Sequence, residues 1–453
     1  MRAFIVETGR LLEPFSDPPD AAQLGASTVR ARVTDALSRR GLAIERLPKD
    51  AQVPSDGGPF LVLADHTYVS DKCLGDFLAL ALGSEGPERL ALCRTPSSDY
   101  TRPVSSVAVE PLDESGPGAR PEKGGRFDSA ATERVAYDCF YVPAGRLPLT
   151  SSAGALLEAL RDEAARRVVP KREIVRDIRM PLVGDEEHTT LRYPVTSTVA
   201  AHVEHWVHVL WLNHVAFGIS WMELVRQHKL WAFFRALTAL PPTLPNLMRR
   251  FVWKGKNVRI HPTALVEGAI LGDNVVIGAR ASVRNSILGD GVEVGDHATV
   301  LASSLGAGAY VTPKTFFVWS TAYEDAVISN YKLQMSVLGR GASSSTWAGL
   351  IDAKFQGAID VRHDGALCST ERSFLGSAVG HGAYIGAKVL ILPGRAVPNE
   401  AFIAMRPDEL VREIPSDLAP GVPQVRDGGT LVPLERLLAR AREKKPRELV
   451  SPP

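Results

Sequence analysis

The residues best suited to chemistry fall in three places. Asp65-His66 closes the apolar run Phe60–Leu63. If that run is a sheet strand, the pair stands at its C-terminal end, where α/β proteins place their ligands. A carboxylate there suits Mg²⁺ held against phosphate oxygens; a helix N-cap or turn is the plainer role. His202, His205, His208 and His214 crowd a second segment. On a helix, His202/His205 or His205/His208 share a face and can share a metal. No neighbouring Cys or carboxylate pair completes a tetrahedral set, so a packed, His-bearing helix competes. The third place holds His381, in a Gly-flanked turn, and His363, beside Asp364 in VRHDG. Imidazole titrates near neutrality and is the natural general base, although solvated corner histidines look the same in a sequence. Lys332, Asn330, Trp347 and Arg372 belong to this stretch as candidate substrate-lining residues.

Three kinds of sequence must position these groups. Through residue 190, apolar runs alternate with helical patterns. Ala3–Val6, Leu42–Leu47 and Phe60–Leu63 read as strands; Ser27–Arg40 and Ala153–Arg167 read as helices. This rhythm predicts a mostly parallel sheet flanked by helices, with Leu112–Arg126 as a Pro/Gly loop. Residues 191–256 are aromatic and His-rich. Trp206–Met222 has no Asp, Glu, Lys or Arg over 17 residues, the lower limit of a spanning helix. The polar His208, Asn213 and His214 oppose insertion, which leaves interfacial membrane contact or helix packing between domains or subunits.

From Ile260 a new period begins. Aliphatic residues at 260, 266, 271, 277, 283, 288, 294, 300, 305 and 311 form three series that each repeat every 17 residues, and six-residue spacing returns at Val379, Ile385, Ile391, Val397 and Ile403. Neither a helix nor an ordinary strand has such a period; three short strands per coil do, which predicts a parallel β-helix. The domains expected are 1–190, a helical linker 191–256, a β-helix 257–415 with an irregular insertion 312–374, and a tail 416–453 with a basic helix at Pro433–Lys445.

Composition narrows the class. Lys plus Arg (52) balances Asp plus Glu (51), which disfavours a bulk nucleic-acid binder, and four scattered cysteines without a CxxC pair disfavour a zinc knuckle or disulfide scaffold. The N-terminus, MRAFIVETGRLLEP, lacks the pattern of a signal peptide. A cytoplasmic protein, with membrane association as an option, is expected.

The hexapeptides resemble the left-handed β-helix of bacterial acyltransferases, and GHGAYIGAKVLILPGRAVPNEAFIAMRPDELVREIP (Gly380–Pro415) is similar to their terminal coils. FLVLADHTYVSDKCLGDFLALA (Phe60–Ala81) and PFSDPPDAAQLGASTVRARVTDALSRRGL resemble a sugar-1-phosphate nucleotidyltransferase domain, as Trp211–Asn213 and FLGSAVGHGAYIG suit divergent relatives. The chain thus resembles the bifunctional nucleotidyltransferase and β-helix acyltransferase family. The resemblance implies that Asp65, with Asp138 in RVAYDCFYVP, holds Mg²⁺ while a sugar phosphate attacks an NTP. It also implies that His381 or His363 activates an acceptor towards acyl-CoA in a homotrimer. One departure stands out: where the family has a Gly-rich phosphate loop and a Lys, this chain has ETGRLLEPFSDPP, with Gly9, Arg10 and no Lys before Lys49. A transferase of activated-sugar or cell-envelope glycan metabolism is one expectation. A catalytically inactive scaffold or regulatory trimer, docking to a membrane or protein through residues 193–256, is the other.

Overall fold

The computed structural model describes the chain apart from residues 55–56, 113–132, 147–151, 180–189, 240, 242, 330, 407–408, 410, 412–413, 417, 419 and 445–453. Most of the expected loop at 112–126 and the candidate Asn330 therefore lie outside the described residues.

The first half is an α/β domain. Its strands are β1 (Arg2–Glu7), β2 (Ala43–Pro48), β3 (Phe60–Ala64), β4 (Thr67–Val69), β5 (Glu88–Cys93), β6 (Val109–Pro111), β7 (Glu133–Val142) and β8 (Ala165–Val169). Helix α1 (Val29–Ser38) joins β1 to β2, capped by the Thr28 hydroxyl and burying Val29, Val33, Ala36 and Leu37. Helix α2 (Asp71–Ala81), capped by Ser70, covers the same core, as does the short α3 (Pro96–Thr101). Helix α4 (Ala153–Glu163) packs on the opposite face. It ends sooner than its apolar spacing predicts, because Ala165–Val169 pairs with β5 as a strand.

The main sheet runs β8-β5-β7-β3-β1-β2, with β6 beside β7. It is mixed rather than mostly parallel: β1 pairs parallel with β2 and β3, whereas β7 lies antiparallel between β3 and β5. The chain steps from β1 to β2 on one side, then to β3 on the other. The carboxyl ends of β1 and β3 therefore flank a topological switch point.

Residues 191–256 are only partly a helical linker. β9 (Ile174–Arg179) pairs with β10 (Thr190–Val195), and β11 (Ala200–His202) pairs with β4, so the α/β domain continues to His202. Three helices follow, α5 (Trp206–Gln227), α6 (Lys229–Leu237) and α7 (Leu244–Arg250). No helix among the described residues is long and apolar enough to cross a membrane.

The second half is a three-faced stack of short parallel strands, consistent with a β-helix. Two faces have eight strands each, from Trp253–Lys254 to Ala396–Val397 and from Arg259–Ile260 to Phe402–Ile403. The third runs from Leu265–Glu267 to Lys332–Gln334. Leu271, Ile277, Val283 and their repeats fill the interior. Corners need left-handed backbone, supplied in one column by Asn257, Asn274, Gly291, Gly308 and Asp325. The expected insertion 312–374 is narrower than the lost period implies. Strands remain in register through Leu350, but the step shortens from 17 residues (Val311 to Ile328) to 16 (Ile328 to Ser344), and Ser344 takes an aliphatic position. The true excursion is residues 351–377, with a hairpin of Asp360–His363 and Ala366–Ser369.

The first eight-stranded face is the domain junction. Val337, Ala378, Leu375 and Tyr323 share one continuous core with Trp206, Leu210 and Trp211 of α5 and with the α/β domain. The tail contains the expected basic helix, α8 (Leu434–Lys444).

Candidate functional site

The switch point gathers polar groups from distant parts of the chain. Thr8, just past β1, donates to Asp65 Oδ1 at 2.7 Å. His66 sets Nε2 3.3 Å from Asp138 Oδ2 and Nδ1 3.8 Å from Asp65 Oδ1. Asp138 is delivered by β7 where its register against β5 shifts between Arg89 and Ala91; bulges of this kind re-aim side chains. Its main-chain N–H then donates to His202 Nε2 at 3.1 Å, from β11. Glu204 follows two residues later, 3.9 Å from both His66 Nε2 and His202 Nδ1. Asp65, His66, Asp138, His202 and Glu204 are each at most 5% exposed.

The carboxylates hold arginines. Asp138 accepts from Arg89 at 2.9 Å and from Arg161 at 2.6 Å. Glu204 accepts from Arg10 at 2.7 Å and from the Ser106 N–H and hydroxyl. Farther along the same edge, Asp20 takes a two-pronged contact from Arg30 and a second arginine, Arg46, which also meets Glu7 at the end of β1. Arg10, Arg30 and Arg161 remain 45%, 46% and 37% exposed at the side chain, while the acids holding them are 5% or less.

Burial would raise Asp138, but His66, His202 and Arg161 outweigh it and hold the carboxyl far below its usual range. Glu204 is likewise brought down to about 2 despite burial, by His202 and Ser106. Burial opposes a charged His66, yet the Asp138 and Asp65 carboxylates raise it above its ordinary value. His202 is driven down to about 3 by burial and by its charged neighbour His66. The two adjacent rings are thus pushed in opposite directions, His66 up by its carboxylates and His202 down by burial.

His66, His202 and Glu204 each offer a ligand atom within 4.8 Å of the others, and neither ring nitrogen of His66 nor Nδ1 of His202 closes a hydrogen bond. Charge decides against a divalent ion. Asp138 already faces Arg89 and Arg161, and Glu204 faces Arg10, so an added ion leaves a positive excess in a buried place. Mg²⁺ fits the expected Asp65 and Asp138 poorly for a second reason. It demands octahedral oxygen ligands and retains waters, whereas both Asp138 oxygens are occupied by arginines.

The other candidates belong to the junction or to open surface. His381 Nδ1 accepts from the Arg340 N–H of the neighbouring coil at 2.8 Å and Nε2 meets Asp17 Oδ2 across the interface at 2.9 Å, so both nitrogens are engaged. Arg340 also grips Asp17, and Asn399 donates to the Phe15 carbonyl. His363 lies in the hairpin, edge-on to His205 at 5.3 Å. Arg372 is half-buried, its guanidinium held between the rings of Tyr100 and Trp211, 4.1 Å from each, and it donates to the Tyr100 carbonyl. Lys332 makes a loose 3.4 Å contact with Asp352, and Trp347 stacks on Tyr331 at 6.0 Å. Of the four clustered histidines, only His202 enters the centre. His205, His208 and His214 place Nε2 on the carbonyls of Arg362, Pro103 and Trp319.

Sequence reasoning missed Arg30, Arg46, Arg89 and Arg161, which come from α1, β2, β5 and α4 with no shared motif. Glu204 did leave a signal, as the single acid between Tyr193 and Met222. No family model matches the chain, and no curated protein matches it either.

Proposed function

We propose that the α/β domain binds a phosphate ester, a nucleotide or sugar phosphate, at its switch point without turning it over, and that the β-helix is the assembly core beneath it. The observation behind this reading is the row of arginines, Arg10, Arg30 and Arg161, with Arg46 beside them. Each is anchored by a buried carboxylate and keeps part of its side chain exposed. Anchored guanidinium forks are preorganised for phosphate oxygens. They replace the missing Gly-rich loop, to which Arg10 alone would be a poor substitute. The closed charge balance around Asp138 argues against Mg²⁺-assisted nucleotidyl transfer. In the β-helix, His381 has no free nitrogen with which to act as base, so acyl transfer from acyl-CoA gains no support there. A left-handed hand and a homotrimeric state follow from the resemblance and complete the proposal.

Thermal unfolding in EDTA with each NTP, UDP-sugars and sugar 1-phosphates is the test. A ligand that binds only the folded chain raises the midpoint by mass action. The expected shift occurs with phosphorylated compounds, is absent with free sugars, and disappears in an Arg10→Ala/Arg30→Ala variant. No shift in any phosphate compound, or Mg²⁺-dependent pyrophosphate release from NTP and sugar phosphate, overturns the proposal.

A further inference from the structure

Helix α6 is amphipathic in the inverted sense. Leu230, Phe233, Phe234 and Leu237 follow the i, i+3, i+4, i+7 rule of a buried stripe, yet they are 77%, 59%, 63% and 51% exposed. The opposite side does the packing: Ala232 is buried, and Trp231 stacks on Trp221 and meets Trp253 and Phe251. The helix is therefore fixed to the body by one face while a second apolar face points outward. Four large apolar side chains in one such row are not explained by the scattered exposure usual on a surface.

The surrounding charge says what covers it. Residues 224–266 contain eight Lys or Arg and no Asp or Glu, in a chain whose overall net charge is +1. Arg226 and Arg249 are paired, with Asp71 and Glu267. Lys229, Arg235, Arg250, Lys254, Lys256 and Arg259 make no ion pair among the described residues and are all exposed. At the end of α6, Thr238, Ala239, Asn246, Arg249 and Arg250 line a cleft of about 300 Å³. An apolar row with a basic surround and an arginine-lined cleft beside it is complementary to an anionic bilayer: rings and leucines enter the acyl boundary while the cations meet phosphates. A second copy of the chain suits this face badly, because a symmetric contact would oppose two cationic surrounds.

We infer that α6 and α7 form a peripheral membrane-docking element selective for anionic lipid. The test is co-sedimentation of the full chain with phosphatidylcholine vesicles and with vesicles containing about one-third phosphatidylglycerol, across a salt series. Binding is expected only with the anionic vesicles and weakens as salt rises. Phe233→Ser/Phe234→Ser and Arg250→Glu/Lys256→Glu should each reduce it at least tenfold with an unchanged circular dichroism spectrum. Absence of binding to anionic vesicles at low salt overturns the inference, as does equal binding by Phe233→Ser/Phe234→Ser. So does an oligomer in light scattering that dissociates in that variant, which would assign the face to a second copy.

Discussion

Around His66 the facing groups are carboxylates, with Asp138 Oδ2 at 3.3 Å and Asp65 Oδ1 at 3.8 Å. Along the start of α5 the facing groups are carbonyls, with His205, His208 and His214 each within 3.1 Å of one. Both sets are buried, and burial alone disfavours charge in every one of these rings. The partners separate them. Two acids raise His66, whereas carbonyls leave His205 at about 3, His208 at about 4 and His214 at about 3, with His202 joining them at about 3. Carboxylate partners push His66 up, whereas His205, His208 and His214, with carbonyl partners, stay depressed by burial.

The largest test of this contrast is pH. For the four depressed histidines the unfolded chain binds more protons than the folded one below about 6.5, so stability falls as pH drops towards their folded values. Each contributes a slope of up to about 1.4 kcal/mol per pH unit. His66 has the opposite sign: its contribution is complete below about 6.5 and is lost as pH rises through its raised folded value. Urea midpoints from pH 4 to 9 should therefore peak near neutrality, with the acid side steeper. His214→Asn should flatten that acid side by close to one proton. A flat acid limb would break the comparison.

Next in size is Asp138→Asn, which leaves Arg89 and Arg161 beside a neutral amide and takes away one of the acids facing His66. Stranding buried charge costs about 3–5 kcal/mol, read as a fall in the urea midpoint. His66 should also titrate lower in the variant by NMR. An unchanged midpoint would mean that the arginines are solvated in solution and the centre is not closed.

Arg372→Met sharpens the other side. Guanidinium in a desolvated aromatic sandwich is worth about 2 kcal/mol, and Arg372 joins the excursion at 351–377 to Tyr100 and Trp211. Loss of that amount is expected in the urea midpoint, together with faster hydrogen exchange in the 360–369 hairpin. Exchange confined to the α/β domain would contradict its placement as a junction pin.

What was legible beforehand follows from range. The β-helix announces itself because each interior column repeats within one coil, as in Leu271, Leu288 and Leu305. The signal was lost after Val311, where Phe317 and Ala322 take aliphatic positions while the 17-residue step still holds, and then where a corner lost a residue and Ser344 replaced an aliphatic. Strand β3 and Asp65-His66 were legible for the same reason, a local apolar run with a polar end. The arginines were not, since Arg161 meets Asp138 and Arg10 meets Glu204 only through tertiary packing. His381 illustrates the converse. Its Gly-flanked corner was visible, but the partner that engages it, Asp17, comes from the other domain.

The smallest effect expected is that of Asp17→Asn. Asp17 is held below its usual range, because hydrogen bonds from His381 and Arg340 outweigh partial burial. These contacts lie at the rim of the junction, where Arg340 is 45% exposed, so solvent screens them and their loss should cost about 1 kcal/mol or less. Unfolding at pH 7 should change by no more than that, and the difference between variant and parent should shrink as pH falls through the lowered value of Asp17. If Asp17→Asn instead separated the two halves into independent transitions, the rim contacts rather than the apolar core around Trp211 and Val337 would be what joins the domains.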